Sequence, residues 1–272
     1  MSAVLDSFGQ HFFRLALIEA VLVGTVAGAV GVHVLLRRLP FFVVAMSHAT
    51  FPGVVFGSLL GVSLFAGGAV FGIAVALVIV ALGSLRQIDD SSAIGIVLAG
   101  SFAVGVLVLS AQPGASKDLS AYLVGSIVTV TPADLVTTAL VGTALLGLLA
   151  AFHKELVLGA FDPGGLTALG YRAGVLDTLV LIVVTVALVV SVPAVGTLLA
   201  VALLTVPALA ARQWTDRVVP MTVLAATLGA TSGVLGLCLS AAYDIAAGGA
   251  IALTATALFL LSAAARSLRH AS

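Results

Sequence analysis

The chain has 272 residues, of which 61% are hydrophobic and 8% are charged, with 11 basic and 11 acidic residues. Soluble domains carry about a quarter charged residues, so this composition excludes a soluble globular protein and predicts a polytopic membrane protein. The zero formal charge and the lack of a basic run exclude a nucleic-acid-binding protein, and a single cysteine, Cys238, excludes intrachain disulfides and Cys-rich metal sites.

The apolar runs predict an all-α fold, with residues 1–272 forming a single domain of about eight to nine transmembrane helices. A bilayer core of about 30 Å requires about 20 residues per helix, which sets the count. The first run lacks the Lys/Arg-led start of a signal peptide and is interpreted as a retained span. The predicted spans lie near residues 12–36, 41–60, 64–85, 91–111, 134–152, 174–194, 196–211, 218–241 and 246–264, with a partial or surface helix at 119–131.

The second predicted span contains one ionisable side chain, that of His48, in an otherwise apolar segment. A polar group at membrane depth is costly unless it lines a cavity or pathway, so His48 is a candidate functional residue. Pro52 lacks a backbone donor and crowds the carbonyl of His48, which predicts a kink here. The alternative is structural: the imidazole, helped by Ser47, hydrogen-bonds a carbonyl of a neighbouring helix.

Three other polar groups lie in or near predicted spans. Glu19 either joins a polar pathway or reaches the lipid headgroups, whereas His33 is predicted to be interfacial. Asp177 lies near a helix N-terminus, where a negative charge is favourable without any function. Pro207 is predicted to bend the end of the short seventh span, and broken helices at membrane depth often border a pathway.

Two connections are longer than a simple hairpin: an external loop at about 112–133 and an internal loop at about 152–174. The internal loop surrounds a Pro-Gly-Gly turn and is predicted to be functional, with one or two amphipathic turns after it. Short cytoplasmic loops carry the Lys/Arg excess, which predicts an external N-terminus. The predicted cytoplasmic set is Arg37, Arg38, Arg86, Lys154, Arg172, Arg212, Arg217, Arg266 and Arg269, with Arg14 and Lys117 outside.

Enzymatic motifs are missing from the sequence. It has no HExxH metal motif, no Gly-x-Ser-x-Gly elbow and no dinucleotide-binding Gly motif. The phosphate-binding loop GxxxxGK[ST] is also absent, so the chain is not expected to bind ATP by that loop or to be an enzyme itself.

Five segments together resemble a known family, in order and over most of the chain. They are RRLPFFVVAMSHATFPGVVFG, SSAIGIVLAGSFAVGVLVLS, DLSAYLVGSIVTVTPADL, HKELVLGAFDPGGLTALGYR and VGTLLAVALLTVPALAARQW. The sequence resembles the permease subunit of the bacterial zinc/manganese/iron importers of the ATP-binding-cassette class. Ser47-His48 followed by Pro52-Gly53 is among the most specific parts of this resemblance.

The resemblance implies a type II importer-like permease in the bacterial cytoplasmic membrane. Its implied partners are a second copy of the permease, two copies of a cytoplasmic ATPase and an extracytoplasmic metal-binding protein. The transported zinc or manganese is the cargo, and no cofactor is expected on this chain. The implied pathway residues are His48, Ser47, Met46 and Pro52, with His48 as the metal ligand; those implied to couple to the ATPase are Glu155, Asp162, Leu166 and Leu169.

This sequence departs from the family pattern at two positions. Family members commonly carry Asp four residues before the histidine, where this chain has Val44, and a Gly-Asp where it has Gly125-Ser126. A lone neutral imidazole binds zinc or manganese weakly, because several ligands must replace the hydration shell. Met46 and Asp118 are candidate replacements for the missing acid.

Two alternatives to a divalent-metal importer remain open. With Val44 and Ser126 in place of acids, the same class of importer could carry a chelated metal or another small solute. An ion-coupled carrier working without an ATPase is the other alternative, and an intramembrane enzyme is disfavoured because no nucleophile is paired with a base.

Overall fold

The computed structural model describes residues 11–85, 87–111, 127 and 130–271, and the regular secondary structure of these residues is helical throughout. Pro and Gly separate most of the helices, as at Pro40, Pro132 and Pro163, because proline is favoured in the first turn of a helix. The helices are α1 (His11–Leu36), α2 (Pro40–Ala49), α3 (Phe51–Leu59), α4 (Leu64–Gly83), α5 (Asp90–Ser110), α6 (Pro132–Ala151), α7 (His153–Phe161), α8 (Pro163–Ala168), α9 (Ala173–Arg212), α10 (Val218–Tyr243) and α11 (Ala247–Ala271).

The predicted number of transmembrane helices is confirmed, since nine helical segments within the described residues are long and apolar enough to cross a bilayer. Most of their ends agree with the predicted span ends to within a few residues, because the helices end where the hydropathy of the sequence falls. The segments are Phe12–Leu36, Pro40–Leu59, Leu64–Gly83, Asp90–Val108, Pro132–Ala151, Ala173–Val192, Val195–Arg212, Val218–Tyr243 and Ala247–Arg269. Most of the external loop and of the predicted helix at 119–131 lies outside the described residues.

Helix α9 contains two membrane-spanning segments that meet at Gly196. This glycine has φ 78° and ψ 165°, a conformation that side-chain-bearing residues rarely adopt. Asp177, near the start of α9, and Arg212, at its end, line the same cavity of about 950 Å³, so the chain reverses direction at Gly196. The interruption lies at the boundary between the predicted spans 174–194 and 196–211, whereas the backbone at Pro207, eleven residues later, keeps helical dihedral angles and the bend expected there stays a prediction.

The same cavity shows which connections lie at one end of the bundle. It is lined by the α1–α2 turn at Arg37, the α4–α5 turn at Ser84, Gly159 of α7, and both ends of α9. This grouping agrees with the predicted alternation of spans. The basic bias assigns this end to the cytoplasm.

Helix α1 is the central helix of the fold and packs against α9 and α10 through glycines. A Cβ atom on Gly24 would overlap the carbonyl of Gly229, and one on Gly28 would overlap the carbonyl of Ala225. The helix backbones therefore touch, which is how helices without a hydrophobic driving force associate in lipid.

Replacing Gly28 with leucine is expected to disrupt this packing. Overpacking of a buried contact costs roughly 1–3 kcal/mol, so the thermal unfolding midpoint of the detergent-solubilised chain should fall by several degrees. Gly147→Leu is the matched control, because a Cβ on this exposed α6 glycine meets nothing within 4 Å. Equal midpoints for the two variants would contradict the packing.

Candidate functional site

The helix that carries His48 is interrupted two residues later, at Thr50, where α2 passes into α3. Pro52 cannot donate to the His48 carbonyl, and the Gly53 N–H instead bonds the carbonyl of Thr50 at 3.0 Å. The predicted distortion next to His48 is therefore confirmed. Pro52 is buried, so it shapes the backbone and does not line an open surface.

His48 lies on the face of α2 that this chain leaves partly uncovered. Val44 is 41% exposed and Phe41 is 50% exposed, while His48 itself is half-buried. At about 100° of rotation per residue, these three side chains fall on one side of the helix. The imidazole is thus directed toward the outside of the single subunit and away from its core.

Met46 and Ser47 lie on the buried side of the same helix. Met46 is fully buried in the hydrophobic core, and Ser47 is 2% exposed. The Ser47 hydroxyl donates to the Val44 carbonyl at 2.7 Å, so it is already satisfied within its own helix. The suggestion that Met46 supplies a second ligand beside His48 finds no support in this geometry, since the two residues point to opposite sides of α2.

The described part of the chain contains no cluster of three or more His, Cys, Asp or Glu side chains that could hold a metal ion. Val44 occupies the position one turn before His48, where an acid would face the same side. Asp118 and Ser126 lie outside the described residues. In the described part of the chain, His48 therefore has no preformed set of co-ligands.

Two polar residues of α1 lie inside the protein. Glu19 is 1% exposed, and its Oε1 accepts a hydrogen bond of 2.7 Å from Thr138 Oγ1 of α6. Its Oε2 is buried without a hydrogen-bond partner. The headgroup alternative for Glu19 is therefore wrong. His33 is 3% exposed, so it is covered by protein, and its interfacial depth in the membrane stays a prediction.

The internal segment at 152–174 is mostly helical and consists of α7 and α8. Asp162 caps α8 by accepting a hydrogen bond of 2.8 Å from the Gly165 N–H, while Leu166 is 1% exposed. The carboxyl oxygen Oε2 of Glu155 is buried. Three of the four predicted coupling residues thus have buried or capping atoms that shape the segment, whereas Leu169 is 68% exposed and accessible to a partner.

Sequence reasoning missed an exposed aromatic residue in this segment. Phe161 ends α7 and is 61% exposed, and Tyr171, just after α8, is 45% exposed. Phe161, Leu169 and Tyr171 are accessible apolar side chains on the later part of the segment, and we call these three residues the α7–α8 apolar patch. The sequence signal that could have identified Phe161 is its position directly before the Asp-Pro-Gly-Gly turn.

An ion pair between Arg37 and Asp177 was also missed. It joins the α1–α2 turn to the first turns of α9, and the Arg37 side chain is only 10% exposed. A Cβ on Gly159 would lie 3.3 Å from Arg37 Nη2, so the guanidinium also packs against α7. Arg37 thus links the turn that leads into the helix of His48 with α7 and α9.

Comparison with known proteins agrees with this architecture. The ABC 3 transport family matches residues 10–266. A manganese transport system membrane protein, MntC of Listeria monocytogenes, is 36% identical over 251 residues, covering 92% of this chain and 89% of that protein. A zinc transport system membrane protein, TroC of Treponema pallidum, is 33% identical over 272 residues, covering 96% and 91% of the two chains.

A solved structure extends the likeness to three dimensions. The structure of PsaBC from Streptococcus pneumoniae in complex with Fab matches with a TM-score of 0.86 and 36% identity, covering 96% of this chain and 94% of that chain. The family match spans nearly all of the sequence, and the helices, the reversal at Gly196 and the interrupted helix of His48 belong to the matched region. The chain is therefore a multi-pass permease of the bacterial plasma membrane and belongs to the ABC 3 transport family.

Proposed function

We propose that this chain is the membrane-spanning subunit of an ATP-driven importer for a divalent metal ion, manganese or zinc. The observation that carries the proposal is the near full-length similarity to permeases named for manganese and zinc transport. His48 adds chemical support, because a neutral imidazole ligates both metals and lies on an uncovered face at membrane depth.

The pathway runs between two copies of the subunit. The half-covered face formed by Phe41, Val44 and His48 supports this arrangement, since a symmetric dimer covers such a face with its own copy. The two imidazoles then lie on opposite sides of a shared passage. A metal ion that meets two imidazoles in turn is bound less tightly than in a storage site. Such weak binding suits transport, because passage requires release of the ion.

The energy comes from a separate ATPase, with one copy docked on each permease. The α7–α8 apolar patch supports docking at this segment, because Phe161, Leu169 and Tyr171 are accessible at the end assigned to the cytoplasm. The buried Leu166 and the Asp162 cap hold the patch in shape. An extracytoplasmic metal-binding protein delivers the ion on the other side.

A chelated metal is the second candidate cargo. It is favoured by one observation, the valine at position 44 on the face of His48, which leaves the imidazole without an acidic neighbour. A chelate brings its own ligands and requires fewer from the protein.

The test uses proteoliposomes that contain the purified permease with its ATPase. Radioactive manganese or zinc should accumulate only when ATP, the ATPase and the binding protein are all present. Accumulation by the permease alone would overturn the importer assignment in favour of an ion-coupled carrier. Uptake that appears only when a chelator is added would shift the cargo to the chelate.

Val44→Asp is expected to strengthen metal binding. The new carboxylate would lie one turn from the imidazole, and two ligands on one face bind manganese more tightly than one. Isothermal titration of the solubilised complex should show at least a tenfold gain in manganese affinity. The control is Val43→Asp in the buried side of α2, where no gain is expected, and an equal gain there would contradict the assigned face.

A further inference from the structure

A basic pocket separate from the His48 face lies where α9 ends, α10 begins and α11 ends. It has a volume of about 510 Å³ and sits at the short α9–α10 connection and the last turns of α11. Four arginines and one aspartate contribute to its lining, so the pocket carries excess positive charge. The residues that matter are Arg212, Trp214, Asp216, Arg217, Arg266 and Arg269.

Two of the arginines contact neutral side chains. Arg266 Nη1 donates to the side-chain oxygen of Gln213 at 3.3 Å, and the guanidinium of Arg269 lies 4.7 Å from the centre of the Trp214 ring. Arg212 has an acidic neighbour, Asp216 at 3.5 Å, whose side chain is 81% exposed. Arg217 and Arg266 form no ion pair with a carboxylate in the described part of the chain, so the positive charge of this organised pocket is only partly neutralised, which suits a phosphate group.

The surroundings of the pocket favour a lipid as the source of that phosphate. Trp214 is 44% exposed, and tryptophan is enriched where a membrane meets water. Helix α11, which carries Arg266 and Arg269, also presents exposed apolar side chains along its length, among them Leu260 and Leu268. The basic pocket thus complements a lipid headgroup, and the apolar side chains of α11 complement its acyl chains.

We propose that this pocket binds the phosphate headgroup of an anionic phospholipid of the cytoplasmic leaflet, whose acyl chains lie along α11. The side of the membrane follows from the arginine bias, and the inference does not depend on the identity of the cargo. Basic pockets between helices at this surface are typical anionic-lipid sites, and each arginine near an anionic surface strengthens binding by about fivefold.

Trp214 makes a direct measurement possible, because it is the one tryptophan of the chain. The full-length permease is reconstituted in phosphatidylcholine vesicles that contain a small fraction of phosphatidylglycerol, with either lipid brominated in turn. Quenching of Trp214 fluorescence by brominated phosphatidylglycerol should correspond to a local fraction of this lipid about fivefold or more above its mole fraction in the vesicles. Quenching that follows the mole fraction alone would overturn the proposal.

Variants and competitors identify the ligand. Arg217→Gln/Arg266→Gln should abolish the enrichment, Arg217→Lys/Arg266→Lys should keep most of it, and Arg172→Gln, an exposed arginine outside the pocket, should leave it unchanged. Reversal of the quenching by millimolar inorganic phosphate would show that free phosphate is the ligand and would overturn the lipid assignment. If the double Gln variant retained full enrichment yet no longer bound the ATPase, the pocket would be a protein-docking site and the proposal would fall.

Discussion

Replacing His48 with alanine is expected to lower ATP-driven metal uptake by roughly tenfold or more, while the permease still assembles with its ATPase. In the proposed mechanism the imidazole is a metal ligand of the pathway, and even changes beside a metal ligand typically reduce affinity or activity by 10–100-fold. The residue is half-buried on an uncovered face, so the substitution leaves the core intact. Initial uptake rates in proteoliposomes measure the effect.

The control for His48→Ala is Phe41→Ala, two turns earlier on the same face. It removes bulk from this face without removing a ligand, so uptake should fall much less. A silent His48→Ala variant would instead support the structural alternative, in which the imidazole serves packing. The yield of the assembled complex must be measured in parallel, because a loss of assembly would give the same uptake defect for another reason.

Breaking the Arg37–Asp177 pair is expected to uncouple ATP hydrolysis from transport. Arg37 packs against α7 at Gly159 and lies in the turn that leads into α2, so it connects the proposed ATPase-docking segment with the helix of His48. Arg37→Gln or Asp177→Asn should therefore lower the metal transported per ATP hydrolysed by roughly fivefold or more, the size of a typical coupling energy.

The charge-swapped variant Arg37→Asp/Asp177→Arg separates coupling from simple destabilisation. It restores an ion pair between the same two positions and should recover a substantial part of the transport per ATP. Asp244→Asn is the control, since this exposed residue has a left-handed conformation that asparagine accepts. Equal defects in the single and swapped variants, with normal transport in the control, would contradict a role for the pair itself.

The spans were predictable because hydropathy is a local property. Twenty apolar residues identify a membrane helix wherever they occur, and Pro40 and Pro132 mark two helix starts in the sequence itself. The boundary near Gly196 was predictable as well, since the apolar runs already separate a span at 174–194 from one at 196–211, but the glycine conformation that makes the reversal was not. Proline can remain in a membrane helix when its neighbours satisfy the freed carbonyl, whereas a positive φ at glycine leaves no mark in the sequence.

The candidate site was predictable in part. A role for His48 was predictable because a polar group at membrane depth is costly, and the distortion at Pro52 was predictable because proline lacks a backbone donor. The helical period alone would have placed Val44 with His48 and Met46 on the opposite side, but it cannot tell which side is buried. The Arg37–Asp177 pair joins residues 140 positions apart, so tertiary structure alone reveals it.

Cross-linking at position 44 tests the central claim, that the face of His48 borders a passage shared by two subunits. Val44→Cys is introduced after Cys238, the one native cysteine, is replaced by alanine. A short thiol cross-linker added to membranes that contain the assembled transporter should join two permeases, and manganese should slow the reaction. Leu253→Cys, 71% exposed on α11, should react without joining two subunits. If the Val44→Cys variant reacted with lipid-soluble reagents but formed no cross-linked dimer, the face of His48 would border lipid, which would contradict the central claim.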